Sequence, residues 1–359
     1  MNFIEAKVFY GILCCMSTPK LFTKNMAAFN EQLQRIDIDS LPIAGYSKRY
    51  LQHLILNSRY FIEIYQHVLS NAKCKATQQP GELNLVDFGS GNGLLGLFSK
   101  FCGFKKVFLC DMDPDFVFAS ESLAAAMNIT IDGFICGDAE EMAKRLQHEK
   151  IDLVIGTDVI EHIYSLGHFF ACIKSMNPNM ITVFTTASNP DNLVKVRRLQ
   201  KLQINDELEG SDPANFVLAG AEKQNAFLDE RRKIISTQFP GIWEKDLQLI
   251  SKLTRGLAAA DIVNAAEHFL ATNELPVPLV HPTNTCDPHT GSWTERILSI
   301  KEYRDIYARH GFTLSMQNGF YNPYATGAAR IRNTILNLAV KLLGKNLAPF
   351  ITLTGYKAG

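Results

Sequence analysis

Asp87, Gly89, Gly91 and Gly93 stand at alternate positions in Leu85–Gly96, LVDFGSGNGLLG, between an apolar run and a segment of helical pattern. A short strand stopped by glycines and followed by a helix opens a nucleotide-binding α/β unit, because glycine lets the backbone approach a ligand that a Cβ would hold off. Gly91, Gly93 and Gly96 also satisfy the dinucleotide spacing GxGxxG. Asp87 separates the two readings. In a dinucleotide fold the glycines and the helix N-terminus gather a pyrophosphate, which a neighbouring carboxylate repels. A ligand bearing an ammonium group and a sulfonium is drawn to that carboxylate instead. Two further acids close apolar runs, Asp111 in VFLCDMDPD and Asp138 in CGDA. A carboxylate at the end of a second strand can accept both hydroxyls of a ribose.

The run hh(D/E)hGxGxG resembles motif I of the class I S-adenosylmethionine-dependent methyltransferases, with Asp87, Gly89, Gly91 and Gly93 at the matching positions and Ser90 between the first two glycines. The resemblance implies S-adenosyl-L-methionine as cofactor. It makes Asp111 the ribose-binding acid, with Asp113 in reserve, and places Met112 against the adenine. It also makes Asp138 an acceptor for the exocyclic amine, with a neighbouring backbone N–H at Ala139 completing the clamp. Asp113-Pro114 reads equally as a helix cap followed by a first helical proline, and Asp138 as a cap for the next helix.

TDVIEHI, residues 157–163, follows the fourth apolar run. The resemblance sets this strand end beside the reacting methyl, with Asp158 near the cofactor's methionine end or the acceptor. His162 is the general-base candidate, since an imidazole titrates near neutral pH and can take a proton from an acceptor hydroxyl. Asp158, Glu161 and His162 also resemble the metal-binding E-x-x-E-H of a ubiquinone-biosynthesis O-methyltransferase subgroup, and a purely structural role for Glu161 and His162 stays open. No metal is assigned to the site. The polar stretch His281–Arg296 carries two prolines, a glycine and a tryptophan. Asn284, Asp287, His289 and Trp293 are expected to line an acceptor pocket; the alternative is a packed hinge. Lys195, Arg197, Arg198 and Lys201 read as a solvated helix face. Asn322-Pro323-Tyr324 lacks a proline of the DNA amino-methyltransferase N-P-P-Y and follows the sixth strand rather than the fourth.

These residues need a frame of alternating strands and helices. Apolar strands are expected at Leu85–Phe88, 107–110, 130–136, 151–157 and 180–186, with helices between them, which means a parallel sheet covered on both faces. After Asn189-Pro190 the alternation stops: Leu193–Leu202, Ala221–Phe239, Trp243–Leu253 and Asp261–Leu270 have helical pattern. A helix at Lys301–His310 leads to late strands at 312–320 and 349–354, with a helix at 328–343 between them. Upstream, residues 20–75 read as helical, with one apolar stripe running through Tyr50–Leu69. The expected fold is therefore α/β: a seven-stranded, mostly parallel Rossmann-like sheet with an N-terminal helical cap and a large helical insert before the sixth strand. The corresponding domains are 1–78, then 79–189 with 298–359, and the insert or lid 190–297.

Composition narrows the partners. The 359 residues include 36 Lys+Arg and 36 Asp+Glu, so the formal net charge is zero, which disfavours a polyanionic partner such as nucleic acid. Eight scattered cysteines without a C-x-x-C pair give a cytoplasmic pattern. The apolar run Val8–Met16 is too short to span a bilayer, so an N-terminal appendage helix and no membrane span are expected. The functional expectation is methyl transfer to a small-molecule or medium-sized acceptor, a sugar, glycan or secondary-metabolite hydroxyl or amine. A nicotinamide-dependent oxidoreductase, a protein or nucleic-acid methyltransferase and a non-catalytic cofactor-binding module are the rivals. The stripe Ile331, Ile335, Leu338 and Leu342 fits either a homodimer contact or the covering of the sheet.

Overall fold

The computed structural model describes residues 20–210 and 225–357. The expected appendage helix before Lys20, and the start of the helix expected from Ala221, lie outside them.

Seven strands form one sheet: β1 (Asn84–Phe88), β2 (Lys106–Asp111), β3 (Gly133–Cys136), β4 (Leu153–Thr157), β5 (Ile181–Thr186), β6 (Thr313–Asn318) and β7 (Ile351–Tyr356). Their order is β3-β2-β1-β4-β5-β7-β6. β1 to β5 pair in parallel, and β7 runs antiparallel to both β5 and β6. Every residue of β1 is buried, as a central strand covered on both faces requires. β3 starts later than its apolar pattern suggests. The Asp132 side chain accepts from Val107 N at 2.9 Å and from Lys100 Nζ at 2.6 Å, which ends the ladder before Gly133.

The chain divides into two compact units. The first holds the sheet and comprises Met1–Val159, Gly167–Thr186 and Tyr303–Gly359. The described N-terminal helices α1 (Thr23–Gln34), α2 (Gly45–Leu56) and α3 (Ser58–Lys75) therefore fall in the same unit as the sheet. The stripe expected as one helix from Tyr50 to Leu69 is two helices meeting at Asn57, whose side-chain amide donates to His53 O at 3.1 Å and closes α2. Phe29, Leu33, Leu51, Ile62 and Leu69 pack with Leu85, Leu97, Phe98 and Val107 in one core. Each such side chain contributes about 1.5–3 kcal/mol by leaving water. Helices α4 (Leu94–Phe101), α5 (Pro114–Ala126), α6 (Ala139–Arg145) and α7 (Leu166–Met176) connect the parallel strands. α12 (Ile300–Arg309) and α13 (Gly327–Leu343) flank β6 in sequence.

The second unit comprises Ile160–Leu166 and Ala187–Glu302. Its helices are α8 (Leu193–Leu208), α9 (Phe227–Gln238), α10 (Glu244–Leu253) and α11 (Ala259–Thr272). Ile235, Ile250, Ile262, Ala266 and Phe269 form its apolar centre. Beside that centre Arg231 is fully buried. Its guanidinium grips both oxygens of Glu207, and Nε donates to Ser251 O at 2.8 Å. A buried ion pair holds only when its remaining donors and acceptors are met, and Thr285 Oγ1 supplies another donor to Glu207 at 2.7 Å.

Candidate active site

The C-terminal ends of β1, β2, β3 and β4 lie side by side, so the loops that follow them share one edge of the sheet. Gly89, Gly91 and Gly93 all take positive φ, at 67°, 53° and 78°. A Cβ at Gly89 would sit 2.2 Å from Val159 Cγ2, and one at Gly93 would sit 2.8 Å from Leu109 Cδ1. The turn is thus pressed between β2, the β4 end and Ser120 of α5, which only glycine permits.

Two carboxylates fix this turn, in different ways. Asp111 Oδ2 accepts from Gly91 N at 2.8 Å and Oδ1 from Asp113 N at 3.0 Å. The carboxylate is locked at the end of β2 with lone pairs to spare on each oxygen, the requirement for gripping a diol. Burial pushes its pKa up, against the two backbone donors. Asp87, by contrast, is 1% exposed and lies beneath the turn. Its Oδ2 accepts from Gly96 N at 2.8 Å, at the start of α4. Burial raises its pKa to about 8. Asp87, expected as a cofactor-binding residue, is thus tied to the first turn of α4. The carboxylate takes a helix N–H that a dinucleotide site would offer to phosphate.

Around the turn the remaining expected residues divide. Ser90 Oγ is buried without a hydrogen-bond partner among the described residues, so the turn retains an unspent polar atom. Met112 is 62% exposed, an apolar side chain left in solvent beside Asp111. Asp113 caps α5, accepting from Asp115 N at 2.9 Å. Asp138 caps α6, one oxygen taking Glu140 N and Glu141 N at 3.0 Å each. Ala139, the first residue of α6, is buried behind it. Asp158 is exposed and sits in the left-handed region at φ 49°, a conformation that non-glycine residues hold only when their surroundings impose it. The Tyr50 and Tyr60 hydroxyls are driven up chiefly by burial and next by the charge of Asp158. An adenosyl group with a cationic sulfur fits these features: fixed carboxylates, an unspent hydroxyl and a turn with glycine at alternate positions.

Sequence reasoning missed the wall over the turn. Tyr46 and Tyr50 of α2 stack at 6.0 Å and meet Phe116 edge-on. Tyr50 Cε1 would lie 3.7 Å from a Cβ at Gly91. Asn92 Nδ2 donates to Ser47 O at 3.1 Å, tying α2 to the turn. The only available signal was aromatic residues spaced four apart in a helical stretch.

In the second unit, the two stretches singled out for acceptor chemistry are stitched together. Trp293 N donates to His162 O at 3.1 Å, Arg296 N to Glu161 O at 3.2 Å, and His162 Nδ1 lies 2.7 Å from Trp293 O. A carbonyl only accepts, so Nδ1 carries the proton and Nε2 keeps its lone pair, the tautomer of a base. Glu161 is 1% exposed and accepts from Ala187 N at 3.2 Å. No cluster of metal-ligating side chains occurs among the described residues. Asn284 is buried, with Oδ1 accepting from Ile297 N at 3.0 Å and Gln203 Nε2 at 3.1 Å, and Nδ2 donating to Ile297 O at 2.8 Å. Trp293 is 4% exposed, donates to Tyr164 O at 3.0 Å, and carries Arg296 over its ring at 4.2 Å. The Asn284 amide and the Trp293 indole N–H are thus bonded within the second unit. Asp287 turns back on His289 N at 2.8 Å, and His289 Nε2 lies 3.0 Å from Glu230 on α9. Arg197, Arg198 and Lys201 are exposed on α8, as a solvated face requires. Tyr324 bonds Glu63 at 2.8 Å, giving Asn322–Tyr324 a structural use.

The profile of a family described as lysine methyltransferase matches residues 43–192, from α2 through β5. Ribosomal protein L11 methyltransferase from Hydrogenovibrio crunogenus is 29% identical over 106 residues, 30% of this chain and 33% of that protein. The protein of the same name from Acinetobacter baumannii is 29% identical over 87 residues, 24% of this chain and 29% of that one. The chain thus spans about a third of the length of these curated relatives. The solved magnesium protoporphyrin IX methyltransferase of Synechocystis PCC 6803 superposes over 94% of this chain and 99% of that one at 12% identity, with a TM-score of 0.38. With its glycine turn and strand-end acids, the segment 43–192 matched by that profile is that of a class I S-adenosylmethionine-dependent methyltransferase, and the reversed seventh strand completes the same sheet outside the match.

Proposed function

We propose that this chain transfers a methyl group from S-adenosyl-L-methionine to a small or medium-sized acceptor, at a hydroxyl or amine. The observation that carries the cofactor half is the reversed β7 between β5 and β6, because a dinucleotide-binding sheet continues with parallel strands from β5 outward. Asp111 is assigned to the ribose hydroxyls, Met112 to the adenine face, and Asp138 with the Ala139 N–H to the adenine edge. Ser90 and the turn Gly89, Gly91 and Gly93 receive the methionine portion, with Asp158 beside it. When bound, the cofactor supplies an electrophilic methyl on a sulfonium.

The acceptor assignments rest on the second unit. His162 is proposed as general base: the Trp293 carbonyl holds its ring in the tautomer whose Nε2 can accept a proton from the acceptor. Of the four loop residues expected to meet the acceptor, Asp287 and His289 remain candidates because they are less enclosed than Asn284 and Trp293.

A protein amine is the second reading, favoured by the lysine methyltransferase description of the matching family. That match ends at residue 192, before most of the helical unit begins, so the residues that would select an acceptor are this chain's own. The test is methyl-labelled S-adenosylmethionine incubated with the chain and a fractionated extract. Label in low-mass metabolites supports the proposal; label in polypeptide at lysine replaces it with the second reading. No S-adenosylhomocysteine with any fraction would leave a cofactor-binding module without transfer.

A further inference from the structure

Helix α13 (Gly327–Leu343) presents its amphipathic faces the wrong way round for a helix that covers a sheet. Its buried residues are Asn333 and Val340. It is held to the fold by amides: Asn333 Nδ2 donates to Asn322 O at 2.9 Å, and Asn337 accepts from Tyr321 N at 2.7 Å and donates to Tyr321 O at 2.9 Å. Opposite them stand Ile331, Ile335, Leu338 and Leu342, exposed by 66%, 62%, 60% and 78%. At 3.6 residues per turn these four fall within an arc of about 60°. An open groove of about 390 Å³ lined by Ala328, Ile331, Arg332, Ile335 and Leu336 runs along the start of that stripe.

The charges beside the stripe have one sign. Arg332 flanks it on one side and Arg330 and Lys341 on the other, and all three are exposed. From Ile306 to Gly359 the sequence has no Asp or Glu, although acids and bases balance over the whole chain. A two-fold pair of α13 helices would set these cations against their own copies with no carboxylate on the helix to relieve them. A surface that offers an apolar layer under a dense anionic one accepts stripe and cations together.

We propose that α13 is the face by which this chain lies on an anionic lipid bilayer. The apolar stripe enters the acyl boundary, and Arg330, Arg332 and Lys341 meet the phosphates. No helix among the described residues is long and apolar enough to cross a membrane, so the contact is peripheral.

The test is sedimentation of the full chain with phosphatidylglycerol-containing vesicles against vesicles of phosphatidylcholine alone. At least about tenfold tighter association with the anionic vesicles is expected, weakening as salt rises. Ile335→Asp with Leu338→Asp removes the association, and Arg332→Glu with Lys341→Glu lowers it to the phosphatidylcholine level. Unchanged melting temperatures are expected, because all four side chains are exposed. Equal association with both vesicle types, no association, or retention by the Ile335→Asp/Leu338→Asp variant overturns the proposal. So does a lipid-free dimer that the same variant splits, which would make a second copy the occupant.

Discussion

The strand-end edge and the loop from Asn284 to Ile297 both concentrate polar residues, and they dispose of them in opposite ways. At the edge, Asp111 spends one bond per oxygen on the backbone and Ser90 Oγ spends none among the described residues. In the loop, Asn284 spends its amide on Ile297 and Gln203, and Trp293 spends its indole N–H on Tyr164. A group with capacity left over serves a ligand; a saturated one serves the fold. His162 is the exception within the loop's network, anchored through Nδ1 with Nε2 left as the basic nitrogen.

That contrast can be broken first at His162. His162→Gln is expected to lower kcat by about 10²–10⁴-fold while the cofactor Kd holds; steady-state kinetics with calorimetry reads both, and the reverse pattern would move His162 into the saturated class. Gly89→Ala comes next. Its Cβ would enter Val159 at a site of positive φ, at a cost of about 2–4 kcal/mol in overpacking and backbone strain. Cofactor affinity and melting temperature are expected to fall together. Asn284→Ala strands Ile297 N and O and is expected to destabilise the chain by about 2–3 kcal/mol in denaturant titration, with acceptor KM unmoved. Asp111→Asn keeps the turn folded and weakens cofactor binding by about 10–100-fold in calorimetry.

The smallest effect concerns pH. The free carboxyl titrates near ~3.9, and burial raises Asp87 to about 8. The folded chain keeps a proton that the unfolded chain sheds. This contribution to stability is full below about 4 and is lost as the pH climbs toward 8. Burial also lowers His67 to about 4. There the unfolded chain takes a proton that the folded one refuses, so stability falls from about 6.5 downward. Asp87→Asn is expected to flatten the alkaline limb of the melting-temperature profile and leave the acid limb in place.

Much of the edge was legible in the sequence because local chemistry decides it: glycine at positive φ, aspartate as cap, apolar runs as buried strands. The break at Asn57 was not, since the apolar spacing continues across it from Leu54 and Ile55 to Ile62 and Tyr65. Nor was the Tyr46–Tyr50 wall, which depends on how α2 packs over the turn, where Asn92 bonds Ser47 O. The hydrogen bonds of the polar loop were not legible for a related reason: a run of Asn, Asp, His and Trp looks the same whether or not its partners are waiting in the fold. Asp87 was identified for its charge, while its position under the turn depends on α4 packing against β2 at Gly96.

What the glycine turn accepts is tested directly by calorimetric titration of the full chain with S-adenosylmethionine and with nicotinamide dinucleotides. Saturable binding of S-adenosylmethionine, weakened by Asp111→Asn, with no heat from the dinucleotides, is the predicted result. A dinucleotide that binds and is lost on Gly89→Ala, with no heat from S-adenosylmethionine, would contradict it.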